Sequence, residues 1–139
     1  MRYAKWISAL MILFVPIIAA AQMKPGERIV TQVPFKFMVG SVAMPAGEYT
    51  VRVADQKNSV LVVGNQDAKR WIYAKAVPDQ GKKAPGAALV FHRYGNQYFL
   101  AELKVEDSRT VYTFAATKLE KELRAQNASA TEDILLASR

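Results

Sequence analysis

The chain of 139 residues contains no cysteine and only one histidine, His92. The lack of cysteine excludes a disulfide scaffold, a cysteine-ligated zinc or iron–sulfur site, a thiol nucleophile and a lipid anchor on cysteine. A single histidine excludes a multi-histidine metal site and most histidine-based proton relays. No glycine-rich phosphate loop, nucleophile elbow or carboxylate pair suited to glycoside hydrolysis stands out. We therefore expect a non-enzymatic protein that uses no cofactor and no metal ion.

Long apolar runs are also scarce, and the only one lies at the N-terminus. It begins with the positive residues Arg2 and Lys5 and continues through the mostly apolar residues 6–18. A short positive region followed by an apolar core is typical of a secretory signal peptide. The run is shorter than the roughly 20 residues that span a bilayer, and Pro16 interrupts it. The sequence therefore predicts a signal peptide over 1–21 and no membrane span after its cleavage.

Small residues mark the predicted cleavage site between Ala21 and Gln22. Ala19 and Ala21 occupy the −3 and −1 positions, where signal peptides carry small side chains. Cleavage removes 21 residues, leaves 118 and lowers the formal net charge from +7 to +5. A chain of that length forms one domain with its own core. We therefore expect an exported protein, located in the periplasm or outside the cell.

Apolar and polar residues alternate with period two along most of the mature chain, which predicts half-buried β-strands. The first run, 29–39, contains Pro34, whose missing amide hydrogen favours a sheet edge or a bulge. The other predicted strands are 48–53, 60–63, 70–77, 88–94, 98–105, 110–114 and 134–136. Seven to eight short strands predict an all-β fold, either a small antiparallel β-sandwich or a small barrel.

The strongest hairpin signal joins 88–94 to 98–105 across Gly95-Asn96-Gln97. A three-residue loop would place on one face Leu89, Phe91, Phe99 and Leu103, and on the other His92, Tyr94, Tyr98 and Glu102. A two-residue turn at Gly95-Asn96 would instead group Val90, His92, Tyr94, Phe99, Ala101 and Leu103. We favour the three-residue loop because it separates apolar from polar side chains more cleanly.

The apolar period changes to that of a helix after Thr117. Thr117 and Glu120 have the capping-box spacing, in which hydroxyl and carboxylate each accept a hydrogen bond from a first-turn amide. Glu120 and Arg124 make a favourable i,i+4 pair, and Leu119 and Leu123 share one face. We predict one C-terminal helix over about 118–128, lying on the surface because its apolar stripe is narrow.

These patterns divide the chain into three parts: the signal peptide over 1–21, a flexible leader over 22–28 and a single β-rich domain over 29–139. Four motifs lie within that domain: VPFKFMVG at 33–40, MPAGEYTV at 44–51, LVFHRYGNQYFL at 89–100 and TKLEKEL at 117–123. Together they resemble a family of small secreted bacterial proteins that has no assigned function. The resemblance implies a signal peptide and a β-rich domain, and it supplies no catalytic residues. The 44–51 motif is also similar to a turn and strand of transthyretin-like and carboxypeptidase-regulatory-like sandwiches.

His92 is the one candidate general base, and such a base needs a nucleophile or water and an orienting acid. In the favoured hairpin register Glu102 lies near it, and the two would form a histidine–carboxylate pair. The simpler interpretation is a histidine on a partly exposed strand face.

Aromatic residues and an arginine cluster at the predicted hairpin tip. Such side chains can stack on sugars or hold an anion. Cross-strand aromatic pairs also stabilise sheets by about 0.2–1 kcal/mol each, and Trp71 and Tyr73 on another strand are open to both interpretations. The candidate ligand-binding set is His92, Arg93, Tyr94, Tyr98 and Glu102.

The leading functional hypothesis is a secreted or periplasmic β-domain that binds, or associates structurally, at the cell envelope. The positive charges are scattered without a basic arm or recognition helix, so nucleic acid is not an expected partner. An envelope protein or an anionic polysaccharide fits better. The partner surface would be the helix stripe of Leu119 and Leu123 or a strand edge near Pro34. The competing hypothesis is a small-ligand carrier or enzyme with a pocket around His92, Arg93, Tyr98 and Glu102.

Overall fold

The computed structural model describes residues 28–126 and 131–136. The predicted signal peptide, its cleavage residues Ala19, Ala21 and Gln22, and the leader up to residue 27 lie outside this part. The strands are β1 (Arg28–Val33), β2 (Phe37–Val39), β3 (Val42–Met44), β4 (Gly47–Asp55), β5 (Val60–Asn65), β6 (Arg70–Gln80), β7 (Ala88–Tyr94), β8 (Gln97–Lys104), β9 (Thr110–Phe114) and β10 (Thr131–Leu136). Helix α1 (Lys118–Gln126) lies between β9 and β10. The predicted all-β fold with one C-terminal helix is therefore confirmed.

Strand β6 joins two halves of one sheet. Its residues 70–75 pair with β5, and its residues 76–80 pair with β9. The first half has the order β1-β4-β5-β6, and the second continues as β6-β9-β8-β7-β10 with the β2–β3 hairpin attached to β8. In the described part, β1 and β10 approach each other but form no ladder. The sheet is therefore open, and the closed-barrel alternative does not apply.

Proline divides the first predicted strand. β1 ends at Val33 and β2 begins at Phe37, with Pro34 exposed between them. Because proline has no amide hydrogen, it cannot continue the β1–β4 ladder, and the chain crosses to the other half of the sheet. There Gly40, with φ of +58°, turns β2 back into β3. With this division and the β2–β3 hairpin, residues 28–126 and 131–136 contain ten strands, against the expected seven to eight.

The core fills the space between the two halves, and aromatic rings lie at its centre. Phe37 contacts Tyr49 and Phe91 edge to face, with ring centroids 4.8 and 5.1 Å apart. Tyr49 donates its buried hydroxyl hydrogen to the carbonyl of Pro45. Burial raises the pKa of Tyr49, although the Asn65 hydrogen bond and the charge of Arg70 oppose the rise. The aliphatic core around these rings includes Ile29, Val33, Val51, Leu61, Val63, Leu89, Leu100 and Leu103.

The β7–β8 hairpin differs from the favoured register. Tyr94 pairs with Gln97 across a two-residue turn, so the predicted three-residue loop is wrong. Gly95 has φ of +64°, a conformation that suits a tight hairpin turn. A bulge between Val90 and Phe91 then shifts the pairing by one residue. Strict alternation could not reveal this shift, which keeps Leu89, Phe91 and Leu103 in the core and leaves Phe99 against Tyr94, with ring centroids 5.8 Å apart.

Replacing the central ring of the core tests this packing. We expect Phe91→Ala to lower the free energy of unfolding by about 3–5 kcal/mol, because it leaves a cavity beside Phe35 and Phe37. Val42→Ala, at an exposed position, should change it by less than about 0.5 kcal/mol. Denaturant unfolding measures both values, and a similar loss in the two variants would contradict the assignment of the core.

Candidate functional site

Helix α1 begins with a side-chain cap that positions Glu120. The Glu120 amide donates to Thr117 Oγ1 at 3.2 Å, and the Lys121 amide donates to the Thr117 carbonyl at 3.0 Å. The predicted threonine cap is therefore confirmed. The carboxylate half of the predicted capping box is not used as expected, because Glu120 points to the β7–β8 hairpin. The described part of the helix runs to Gln126, and residues 127 and 128 of the predicted helix lie outside the described residues.

The carboxylate of Glu120 is the centre of a polar cluster between α1 and β7. Its Oε1 lies 3.0 Å from His92 Nδ1, accepts a hydrogen bond from the Tyr94 hydroxyl at 3.3 Å, and lies 3.6 Å from an Arg124 guanidinium nitrogen. Arg124 Nε also donates to the Tyr94 hydroxyl at 3.2 Å, and this hydrogen bond raises the pKa of Arg124. We call these four residues the Glu120 cluster.

The Glu120 cluster explains how the helix attaches to the sheet. The Glu120 side chain is 6% exposed, and burying a carboxylate is unfavourable unless donors and an opposite charge compensate it. By contrast Leu119 is 44% exposed and Leu123 is half-buried. The helix therefore docks through a buried glutamate rather than through its leucine stripe, because β7 presents the polar side chains of His92 and Tyr94 to it. The predicted Glu120–Arg124 pair is confirmed.

The structure gives His92 a carboxylate partner that the hairpin register did not suggest. His92 and Glu102 line the same cleft of about 230 Å³, and Glu120 contributes a carboxylate 3.0 Å from His92. The helix supplies this partner from 28 residues further along the chain, a distance over which strand alternation carries no information. Thr113, Glu120 and Arg124 also line the cleft. In the sequence, the signal for this contact is the pair of polar side chains His92 and Tyr94, which alternation places on one face of β7.

The other predicted site residues do not belong to this cleft. Tyr98 stacks on Phe35 with ring centroids 3.8 Å apart, at the edge of the core. Arg93 lies over the Tyr98 ring at 5.6 Å and donates to the Gly95 carbonyl at 2.7 Å. Tyr94 is buried and bound to Glu120. The candidate set is thus divided between two faces of the hairpin, because neighbouring residues of a strand point to opposite sides.

The chemistry available to the Glu120 cluster is mainly structural. Its carboxylate is already surrounded by His92, Tyr94 and Arg124. Among residues 28–126 and 131–136, no group of three or more histidine, aspartate or glutamate side chains is arranged to hold a metal ion. The cluster therefore stabilises the position of α1 and forms one wall of a small polar cleft.

A second candidate site lies on the outer surface of the first half of the sheet. β6 places Trp71, Tyr73 and Lys75 on one side of the strand, and the two rings are 48% and 72% exposed. The register extends this surface across the sheet, because Tyr73 pairs with Val62, Val62 with Arg52, and Arg52 with Arg28. We call this surface, defined by Arg28, Arg52, Trp71, Tyr73 and Lys75, the β6 outer face.

Gly64 has no side chain, and this leaves room for the ring of Trp71. Gly64 pairs with Trp71, and a Cβ atom on Gly64 would lie 1.9 Å from the six-membered ring of the indole. The ring therefore occupies the space above the glycine backbone while half of its surface faces solvent. Val62, the neighbouring outward residue of β5, is only 1% exposed. The β6 outer face thus presents aromatic and cationic groups on an ordered support. Trp71 and Tyr73 were candidates from the sequence, but the position of Lys75 beside them and the contribution of β1 and β4 come from the structure.

Comparison with models of known protein families, with curated protein sequences and with solved structures gave no match. The resemblance to a family of small secreted proteins therefore stays a prediction. In the described part of the chain, no helix has the length and apolar character needed to cross a membrane.

Removing the buried carboxylate tests the docking role of the Glu120 cluster. We expect Glu120→Ala to lower the free energy of unfolding by about 1–3 kcal/mol, because it leaves the buried Tyr94 hydroxyl without its acceptor. Glu122→Ala is the matched control on the same helix, where the ion pair with Lys118 is exposed, and its effect should be below about 0.5 kcal/mol. Equal effects in denaturant unfolding would contradict the docking role.

Proposed function

We propose that this protein is an exported, non-enzymatic β-domain that associates with the cell envelope through the β6 outer face. The observation that carries the proposal is the exposure of Trp71 and Tyr73 beside Arg52 and Lys75 on the central part of a sheet. Tryptophan, tyrosine and arginine are the residues most enriched where proteins bind partners. The N-terminal signal-peptide pattern supports export, and export places this face in contact with envelope material.

Single exposed apolar residues are ordinary on protein surfaces, so exposure alone does not support binding. Here the rings occur together, on strand positions that restrict their movement, and the indole is positioned over Gly64. A rigid ring loses little conformational entropy on binding, which favours its use as a contact. Folding itself gains little from a tyrosine side chain that is 72% exposed.

The sequence and the Glu120 cluster support a non-enzymatic role. The chain contains no thiol and one imidazole, and that imidazole is used to hold α1. A small-ligand carrier or enzyme is the second candidate, and the cleft lined by His92 and Glu102 is the observation that favours it. Its volume of about 230 Å³ suits only a small ligand, and its carboxylate at Glu120 is already engaged.

Export has a direct chemical test. We expect the protein recovered from outside the cytoplasm to begin at Gln22, because Ala19 and Ala21 form the cleavage site. Mass spectrometry of the intact protein measures the start of the chain. Replacement of Ala21 by Phe, a side chain too large for the −1 position, should lead to accumulation of the uncleaved chain. A cytoplasmic protein that retains residues 1–21 would contradict export.

Envelope association is tested by sedimentation of the purified protein with isolated envelope fragments from the cells that produce it. We expect Trp71→Ala and Tyr73→Ala each to lower the retained fraction severalfold, because each removes an exposed ring from the contact. Leu119→Ala is the matched control, since it removes an exposed apolar side chain from α1. His92→Gln addresses the second candidate, because it alters the cleft and leaves the β6 outer face intact. Loss of retention in His92→Gln alone, or in none of the variants, would contradict the proposal.

A further inference from the structure

We infer that the β6 outer face binds an anionic polysaccharide, with Trp71 and Tyr73 stacking on sugar rings and Arg28, Arg52 and Lys75 contacting its acidic groups. The inference rests on the proposed function and names the chemical class of its partner. It depends on three features of the face: the placement of the cations, the unfavourable arginine pair and the orientation of the rings.

The cations lie beside Tyr73 at distances that suit one extended ligand. Arg52 lies two strands from Tyr73, about 10 Å away, and Lys75 lies about 7 Å further along β6. In the described part of the chain, Arg28, Arg52 and Lys75 form no ion pair with a carboxylate, and all three are exposed. A chain of sugars that carries repeated carboxylate or sulfate groups can reach these cations while its rings lie over the aromatics.

The acidic residues nearby offset only part of this charge. Glu48 pairs with Gln32, two rows beyond Trp71 and away from the cations. Asp55 lies in the row of Lys75, but Asn58 donates both its amide and its side-chain nitrogen hydrogens to this carboxylate. The Asn58 side-chain hydrogen bond lowers the pKa of Asp55, so it stays ionised within its own turn. Arg28, Arg52 and Lys75 outnumber the single carboxylate of Asp55, so the face keeps a net positive charge, which favours an anionic partner.

Arg28 and Arg52 are cross-strand partners in the β1–β4 ladder. Like charges placed directly opposite each other destabilise a sheet, so this pair opposes folding instead of supporting it. An anionic group that bridges the two guanidinium ions would remove this repulsion. Binding should therefore stabilise the fold, and removal of one arginine should weaken binding without destabilising the free protein.

The orientation of Trp71 favours sugar over lipid. Its indole occupies the space above Gly64 and so lies against the sheet. A side chain that inserts into a bilayer must project beyond the cations, whereas a ring that lies along the sheet offers its electron-rich face to the C–H groups of a sugar. Val62 is buried between the rings and Arg52, so the face lacks the continuous apolar centre of a stable protein interface.

The fluorescence emission of Trp71 can be used to measure binding. Trp6 and Trp71 are the two tryptophans of the chain, so the exported protein cleaved before Gln22, or a Trp6→Phe chain, reports Trp71 emission alone. The probes are polygalacturonate and dextran sulfate, with neutral dextran and phosphatidylglycerol-containing vesicles as comparisons. We expect both polyanions to change Trp71 emission in a saturable way and to raise the melting temperature. Neutral dextran should bind at least about tenfold more weakly, and the vesicles should leave the emission unchanged.

Variants distinguish binding at the β6 outer face from general attraction between opposite charges. Calorimetry measures Kd for each variant. Tyr73→Ala should raise Kd for polygalacturonate by about tenfold. Arg52→Gln should raise it by about threefold while leaving the melting temperature of the free protein unchanged or higher. Lys118→Gln is the matched control, because it removes one exposed positive charge from α1, and it should change Kd by less than about twofold. Gly64→Ala moves the indole without removing it and should also weaken binding.

The possible failures are distinguishable. If Tyr73→Ala abolishes envelope retention but neither polyanion binds, the partner is not an anionic polysaccharide and the proposed envelope association stands. Binding of the vesicles with equal affinity would assign the face to lipid and overturn the inference. If Lys118→Gln and Arg52→Gln raise Kd for polygalacturonate equally, binding depends only on the net charge of the protein. That result would also overturn the inference. If neither Trp71→Ala nor Tyr73→Ala changes envelope retention, both the proposed function and the inference fail.

Discussion

The structure depends on the pairing of β6 with both halves of the sheet. Its first six residues pair with β5 and its last five with β9, so one continuous strand brings the inner faces of the two halves together over a shared core. The same strand leaves Trp71, Tyr73 and Lys75 on the outside. Because strand side chains alternate, the pairing that closes the core also produces the β6 outer face. The β6 outer face therefore lies on the same strand that connects the two halves of the sheet.

Helix α1 attaches to this sheet through a buried charged group and not through apolar packing. Leu119 remains exposed, and the buried contact is a carboxylate surrounded by His92, Tyr94 and Arg124. A buried ion cluster requires defined geometry from each partner, so it specifies one position of the helix more strictly than a leucine stripe would. This arrangement also changes the significance of the one imidazole. The one histidine, a candidate base in the sequence, contacts the helix through Glu120, whereas the exposed aromatic residues of β6 carry the functional proposal.

Much of the fold follows from local patterns. Alternation located most of the strands, and Thr117 marked the start of the helix within one residue. The predictions were wrong where the pairing between strands, and not the local sequence pattern, sets the register. The bulge between Val90 and Phe91 changes which residues face inward, and the two-residue turn at Gly95 sets a register that alternation could not distinguish from its alternative. The same turn register places Tyr98 with Arg93, which alternation puts on the side of the hairpin opposite to His92, and so divides the candidate site.

By itself the sequence determined the inventory of the protein: no thiol, one imidazole, a signal-peptide pattern, short alternating strands and one capped helix. These properties are local, because composition and periodicity need no knowledge of distant residues. Only the tertiary structure determined which distant residues lie together. It brought Glu120 to His92 across 28 residues, and it brought Arg28 and Arg52 into the same surface as Tyr73. Such contacts depend on strand order and register, which arise from the packing of the whole sheet and are absent from any single segment.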